Sequence, residues 1–301
     1  MAHVHDTVRG ESRRALALAL GITAGYTVVE VVGGLLTGSL ALLADAVHML
    51  SDNVAIALAL VAVWLAGKPS THERTYGYKR AEVLVALANG VTLVALAIWI
   101  FYAGVRRLGD PPEILGGWML AIALAGILVN VAAAWILHGA RGSLNVEAAF
   151  RHVLADLLGS FGVVAAAVLV LGTGWLEADP LAGMLIGVLV LVSSWTILRD
   201  STRILLEAAP SGIDTQAVGE RLARAPGVVE VHDLHIWTIT SGFPALSAHV
   251  LVGRGEDCHG RRQELETLLR TEFGIEHTTL QVEHADERGR LVELGRVERP
   301  R

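Results

Sequence analysis

Long apolar runs fill the first two thirds of the chain, and short polar breaks containing glycine, proline or charge separate them. A helix needs about 20 apolar residues to cross a bilayer. Six runs qualify, which predicts an α-helical membrane protein with a domain of six transmembrane helices at residues 15–209. The spans are expected at residues 15–36, 40–66, 81–105, 115–137, 146–171 and 180–198. Residues 1–14 precede the first run and are expected to form an N-terminal tail.

A polar pattern replaces these runs after residue 210. Helical periodicity and an Asp214 N-cap predict a helix at 214–225. Alternating apolar residues predict strands at 228–240, 245–252 and 278–283, with a second helix at 257–272. The order αββαβ predicts a small α+β domain at 210–286. Residues 287–301 are highly charged and are expected to form a flexible tail.

Charge and cysteine content limit the possible classes of protein, and the charge distribution predicts the orientation in the membrane. The chain is 53% hydrophobic with a net charge of −6, which argues against a nucleic-acid partner. A single cysteine, Cys258, excludes an internal disulfide and fits a polar domain in a reducing cytosol. Lysine and arginine concentrate in the loops on one side of the predicted spans, so both termini are predicted to be cytoplasmic.

Two His–Asp pairs lie inside predicted spans, where ionisable groups are costly. His48 and Asp52 are four residues apart in the second span, and His152 and Asp156 are four apart in the fifth. Residues i and i+4 share one helix face. A charge at mid-membrane costs at least about 2.5–3.5 kcal/mol on insertion scales. If the two spans pack together, these groups supply four N/O donors, which is the tetrahedral complement for Zn²⁺ and neutralises its charge.

Other interpretations of the paired residues stay open at this point. Two imidazoles and two carboxylates can form a proton relay without metal, and a single histidine in an apolar helix is usually a packing residue. An intramembrane zinc enzyme needs an open coordination position and a general base, as in HExxH, and the sequence contains no such motif. A metal sensor binds without transporting. We therefore do not expect an enzyme, and a transporter and a sensor both stay open on these residues alone.

Several stretches resemble the cation diffusion facilitator family, which includes the bacterial cobalt–zinc–cadmium efflux proteins and animal zinc transporters. They are GSLALLADAVHMLSD, YGYKRAEVLVALANG, RHVLADLLGS, ILLEAAP and VHDLHIWTITSGFPALSAHV. The resemblance implies a homodimer in a bacterial-type cell membrane that exports zinc for protons by alternating access, with a ferredoxin-like cytoplasmic domain. It also implies that the two His–Asp pairs form the transport site. His48 favours zinc, and broader cadmium, cobalt and iron specificity is the alternative.

The resemblance implies roles for further residues. A regulatory metal in the cytoplasmic domain would use His232, His249, His259, His284 and Asp286. Arg80 and Glu207 match a structural charge interlock between the third span and the polar domain. Family members with a second metal in the loop between spans two and three use two histidines, and this chain has Arg74 and Tyr78 there.

Two further carboxylates lie in the predicted spans. Glu30 is in the first span, and Asp45 is one turn before His48 in the second. Asp45 is expected on the same side as His48, where it would guide metal or protons at the outer mouth. The alternative for both is a carboxylate that is hydrogen-bonded between helices.

Overall fold

The structure is a computed structural model that describes residues 2–66, 68, 70–139 and 144–285. The chain forms two compact units. The first unit lies within Met1–Trp64 and Val85–Leu198, and the second lies within Leu65–Leu84 and Arg199–Arg301.

Six long helices follow one another before residue 206. Their bounds are α1 Ala2–Thr37, α2 Leu40–Ala66, α3 Ala81–Gly109, α4 Gly116–Gly139, α5 Leu144–Thr173 and α6 Ala178–Leu205. Among the described residues, five of them (α1 and α3 to α6) contain segments long and apolar enough to cross a membrane. The 27-residue helix α2 has described apolar side chains over Leu40–Ser51. A sixth span at α2 stays a prediction.

Helix α1 is longer than the span predicted for it. It begins at Ala2, so helix continues through the segment that the sequence analysis assigned to an N-terminal tail. The part of α1 suited to a membrane starts at Arg14. Hydropathy marks where apolar residues begin, and a helix can start earlier.

Lipid-facing surfaces and close helix packing both mark the first unit as a membrane bundle. Large apolar side chains are widely exposed, including Leu36, Trp135 and Leu158, as a lipid environment allows. Helix α4 packs against both α1 and α5. A Cβ added at Gly126 of α4 would lie 2.5 Å from the Tyr26 hydroxyl of α1. Small residues at such contacts let membrane helices approach closely.

The start of α2 is held in place by a buried carboxylate from α6. Gly38 makes the turn between α1 and α2 with a φ of 74°, a conformation that favours glycine. Asp179 accepts hydrogen bonds from the backbone N–H groups of Leu40 at 2.7 Å and Ala41 at 3.1 Å. Arg107 of α3 donates to the Gly38 carbonyl at 2.5 Å and lies 3.8 Å from Asp179. This cap satisfies N–H groups that a helix start leaves unpaired, and it anchors α2.

The second unit contains the predicted αββαβ order. Its elements are α7 Thr215–Ala223, β1 Val228–Thr240, β2 Phe243–Val252, α8 Cys258–Phe273 and β3 His277–His284. Strand β2 is central, antiparallel to β1 and parallel to β3. The apolar core of the unit lies between the sheet and the two helices. It includes Leu222 of α7, Leu265 and Leu269 of α8, and Val250 of β2.

Both helices of the second unit begin at an aspartate cap. Asp214 accepts from two backbone N–H groups at the start of α7, which confirms the predicted N-cap. Asp257 caps α8 by accepting from the N–H of His259 at 3.0 Å. Gly274 ends α8 in the left-handed conformation with a φ of 67°.

The loop before α3 also belongs to the second unit and lies against its sheet. Lys79 places its ammonium 4.1 Å from the Phe243 ring centroid. Tyr76 packs edge-on against His277 with ring centroids 5.7 Å apart. These contacts attach the segment entering α3 to the ends of β2 and β3.

Candidate metal site

Helices α2 and α5 bring three predicted ligands together. His48 Nε2 lies 3.6 Å from Asp156 Oδ1, and His152 Nε2 lies 3.8 Å from Asp156 Oδ2. The two imidazole centroids are 6.4 Å apart. Each oxygen of one carboxylate therefore faces an imidazole nitrogen, one from each helix.

The two imidazole–carboxylate distances are at or slightly above the donor–donor distances of a zinc site. Zinc ligands lie at about 2.0–2.2 Å, so neighbouring donors in a tetrahedral site are about 3.3–3.6 Å apart. The observed 3.6 and 3.8 Å are close to that separation and longer than ordinary hydrogen bonds. Asp156 is almost fully buried, whereas the His152 side chain is 43% exposed. The imidazoles are thus more accessible than the carboxylate between them.

The fourth predicted ligand is not part of this observed group. The side chain of Asp52 lies outside the described residues. Its position on α2, four residues after His48, gives it the same helix face. Within the side chains that the structure describes, no three His, Cys, Asp or Glu residues form a group that could hold a metal ion. The four-ligand site therefore stays a prediction.

A buried polar network lies one turn away from these residues and includes both accessory carboxylates. Glu30 and Asp45 are each 1% exposed, so Asp45 is enclosed and does not line an open outer mouth. The Tyr26 hydroxyl lies 3.2 Å from Glu30 Oε1, and Ser160 donates to Asp45 Oδ2 at 3.3 Å. Asn130 of α4 donates to Ser160 at 3.4 Å. The network joins α1, α2, α4 and α5.

Sequence reasoning missed three members of this network: Tyr26, Asn130 and Ser160. They carry no charge at neutral pH, and single uncharged polar residues do not interrupt an apolar run in a hydropathy profile. A signal was nevertheless present. Asn130 is an amide inside a run that is otherwise apolar, and intramembrane amides usually hydrogen-bond across helices.

The predicted ligands of the cytoplasmic domain fall on two faces of the sheet. His232 and His249 are cross-strand partners on β1 and β2, with ring centroids 5.4 Å apart. His284 pairs in register with Val252, which belongs to the core under the helices. It lies 3.7 Å from Cys258 Sγ and 3.1 Å from the carbonyl oxygen of Glu256.

His259, another member of that set, is exposed near the start of α8 and belongs to neither group. Asp286 lies outside the described residues. One chain therefore presents a His232–His249 pair on the face without helices and a separate His284–Cys258 contact on the other. The Nδ1 atom of His232 is buried, lies 3.7 Å from Glu230 Oε1, and has no hydrogen-bond partner in the described part of the chain.

The predicted charge interlock forms an ion pair. Arg80 Nη2 lies 2.9 Å from Glu207 Oε1 within the second unit. The two side chains are 41% and 61% exposed, so the pair is solvated and its contribution to stability is expected to be small.

Comparisons with protein families agree with this architecture. The cation efflux transmembrane domain matches residues 16–206, and the cation efflux protein cytoplasmic domain matches residues 210–285. The chain belongs to the cation efflux family. Membership confirms the predicted class: a multi-pass bacterial-type membrane protein that transports metal cations and is not an enzyme.

Full-length bacterial relatives are similar over nearly the whole chain. A cadmium, cobalt and zinc/H(+)-K(+) antiporter of Bacillus velezensis is 40% identical, covering 95% of this chain and 93% of the relative. Zinc transporter ZitB of Escherichia coli is 41% identical, covering 94% and 93%. Metal cation efflux system protein CzcD of Cupriavidus metallidurans is 41% identical, covering 94% and 90%.

A solved structure resembles part of the chain in sequence. It is the metal-bound C-terminal domain of the CzcD transporter, 36% identical, covering 24% of this chain and 99% of that one. The TM-score is 0.23.

Proposed function

We propose that this protein exports divalent transition metal, chiefly zinc, from the cytoplasm in exchange for protons by alternating access. The observation that carries the proposal is the Asp156 carboxylate between the imidazoles of His48 and His152. The names of three relatives at about 40% identity, two of which include zinc, support the choice of cargo.

The proposed site uses both His–Asp pairs. His48, Asp52, His152 and Asp156 supply two imidazole nitrogens and two carboxylates, which suit Zn²⁺ in tetrahedral geometry. The two carboxylate charges balance the dication, which lowers the cost of holding either inside a membrane.

Proton exchange follows from the chemistry of the ligands. Metal binds neutral imidazole and ionised carboxylate, so loading releases protons and unloading takes them up. The empty carrier then returns protonated and the loaded carrier crosses with metal. The H(+) in the name of the Bacillus relative supports protons as counter-ion.

The proposal includes an architecture. Six spans, with α2 as the second, would place both termini in the cytoplasm, as the lysine and arginine distribution indicates. The αββαβ unit would be a ferredoxin-like domain through which two copies form a homodimer. Its His232–His249 pair would hold a regulatory metal, with further ligands from other parts of the dimer.

A broader metal range is the second candidate. The Bacillus relative is named for cadmium and cobalt as well as zinc. Mixed nitrogen and oxygen donors accept several first-row dications, so geometry and availability set the preference.

Uptake by sealed liposomes tests the function. Purified protein should move zinc across the membrane, with cadmium, cobalt and iron tested one at a time under the same gradient. His48→Ala should abolish zinc uptake, and His72→Ala, which changes an exposed loop histidine, should match wild type. A protein that binds zinc without moving it is a sensor, and this result would contradict the proposal.

A further inference from the structure

Glu30 is a carboxyl group in the middle of the bundle with too few hydrogen-bond donors for an anion. Its residue is 1% exposed, and its Oε2 atom has no hydrogen-bond partner among the described residues. The Tyr26 hydroxyl lies 3.2 Å from Oε1 but 2.8 Å from the Ile122 carbonyl oxygen. A hydroxyl has one proton, and the shorter contact is to the carbonyl. An ionised Glu30 would therefore be left almost unsolvated.

The nearest acidic partner of Glu30 is a second buried carboxyl group. Asp45 of α2 interacts with Glu30 of α1, and it accepts a hydrogen bond from Ser160. Within the described residues, neither carboxyl group forms an ion pair with lysine or arginine. Two carboxylates without a cation repel each other, but a proton on one makes it a donor to the other. The burial of both groups and the shortage of hydrogen-bond donors among the described residues fit one shared proton better than two anions.

We propose that Glu30 binds a proton that takes part in antiport, in a site formed with Asp45 and separate from the metal ligands. This inference rests on the proposed zinc/proton exchange. When the metal site is empty, the Glu30 carboxyl group carries the proton and donates it to Asp45. When the dication binds nearby, its positive charge expels that proton from Glu30 to the cytoplasmic solution.

The ionisable groups around the Glu30–Asp45 pair come from three helices. Tyr26 of α1 and Asp156 of α5 interact with Glu30, and His48 of α2 interacts with Asp45. Helix α4 contributes the Ile122 carbonyl oxygen and the neutral Asn130. The dication is therefore the main change in charge that Glu30 would experience during a cycle.

Infrared difference spectroscopy on the wild-type protein is the first test. Adding zinc should remove a carbonyl band of a protonated carboxylic acid, and the band should be absent from Glu30→Gln. Tyr26→Phe removes a hydroxyl next to Oε1 and should shift the band, which provides a test even if Glu30→Gln fails to fold. A wild-type spectrum without a zinc-sensitive acid band overturns the inference, as does a band that Tyr26→Phe leaves unshifted.

Proton counting is the second test. Zinc binding in weakly buffered detergent should release about one proton fewer per zinc bound in Glu30→Gln than in wild type. In liposomes at zero voltage and a pH gradient of one unit, losing one coupled proton should lower the limiting zinc gradient about tenfold. Glu113→Gln, an exposed carboxyl in the loop before α4, should match wild type.

The outcomes separate this inference from the proposed function. Equal proton release in wild type and Glu30→Gln overturns the role of Glu30 and leaves zinc/proton exchange intact. A wild-type zinc flux that does not respond to a pH gradient overturns the exchange itself.

Discussion

Replacing Asp156 with asparagine should strongly weaken zinc binding. The Asp156 carboxylate lies 3.6 Å from one imidazole nitrogen and 3.8 Å from the other, and it is almost fully buried. Asparagine keeps the shape and one oxygen but removes the negative charge. Its effect therefore measures the attraction between this carboxylate and the dication.

The size of the effect follows from charge and environment. Unit charges 4 Å apart at an effective dielectric constant of 20 attract by about 4 kcal/mol, and a dication doubles this value. Removing a buried anion also recovers desolvation energy, which offsets much of the loss. A net loss of about 3 kcal/mol corresponds to a dissociation constant raised roughly 150-fold.

Isothermal titration of zinc into purified protein measures this change. Asp200→Asn is the matched control because Asp200 is exposed at the end of α6 and 57% of its side chain is accessible. The control should bind as wild type does. A dissociation constant for Asp156→Asn within threefold of wild type would refute the assignment of this carboxylate as a metal ligand.

Three other predictions concern selectivity, a helix cap and the interlock. His48→Asp replaces nitrogen with a harder oxygen, so cadmium or manganese should gain relative to zinc in liposome uptake, and unchanged metal ratios would mean that another ligand sets preference. Asp214→Ala removes the cap of α7 and should cost about 1 kcal/mol, seen as roughly fivefold faster amide exchange across Thr215–Ala223 in the full chain. No change there would show that the cap is dispensable. A double-mutant cycle on Arg80 and Glu207 should give a coupling energy of about 0.2–1 kcal/mol, and a much larger value would contradict a solvated pair.

Apolar patterns predicted the helices better than they predicted the helix ends. The third span was expected to end at residue 105, but α3 continues to Gly109 through Arg106 and Arg107. A span predicted from hydropathy ends at the first charged residue. A helix can continue further, because basic residues are favourable in its last turn. For the same reason, hydropathy did not predict that α1 begins before its apolar segment, at Ala2.

The central strand starts two residues earlier than predicted and contains a proline. Strand β2 was predicted from Ala245, and it begins at Phe243. Pro244 cannot donate a backbone hydrogen bond, which makes it an unusual residue within a strand. The parallel pairing with β3 begins one residue later, at Ala245, so the proline occupies a position where β3 needs no donor from it.

Helix periodicity predicted one shared face for each His–Asp pair, but sheet register was needed for the cytoplasmic histidines. Periodicity alone does not show that α2 and α5 meet, and the structure places His48 and His152 within 4 Å of Asp156. His249 and His284 were expected together. The register pairs His249 with Gln281, three residues before His284, so the two histidines point to opposite faces.

Zinc flux in liposomes under an imposed pH gradient tests the central claim most directly. Voltage is clamped at zero with potassium and valinomycin, and zinc movement is followed with an impermeant indicator. The account predicts that a proton gradient opposed to zinc movement speeds flux and drives zinc uphill. Flux that follows only the zinc gradient, whatever the pH difference, would contradict antiport and leave a uniporter.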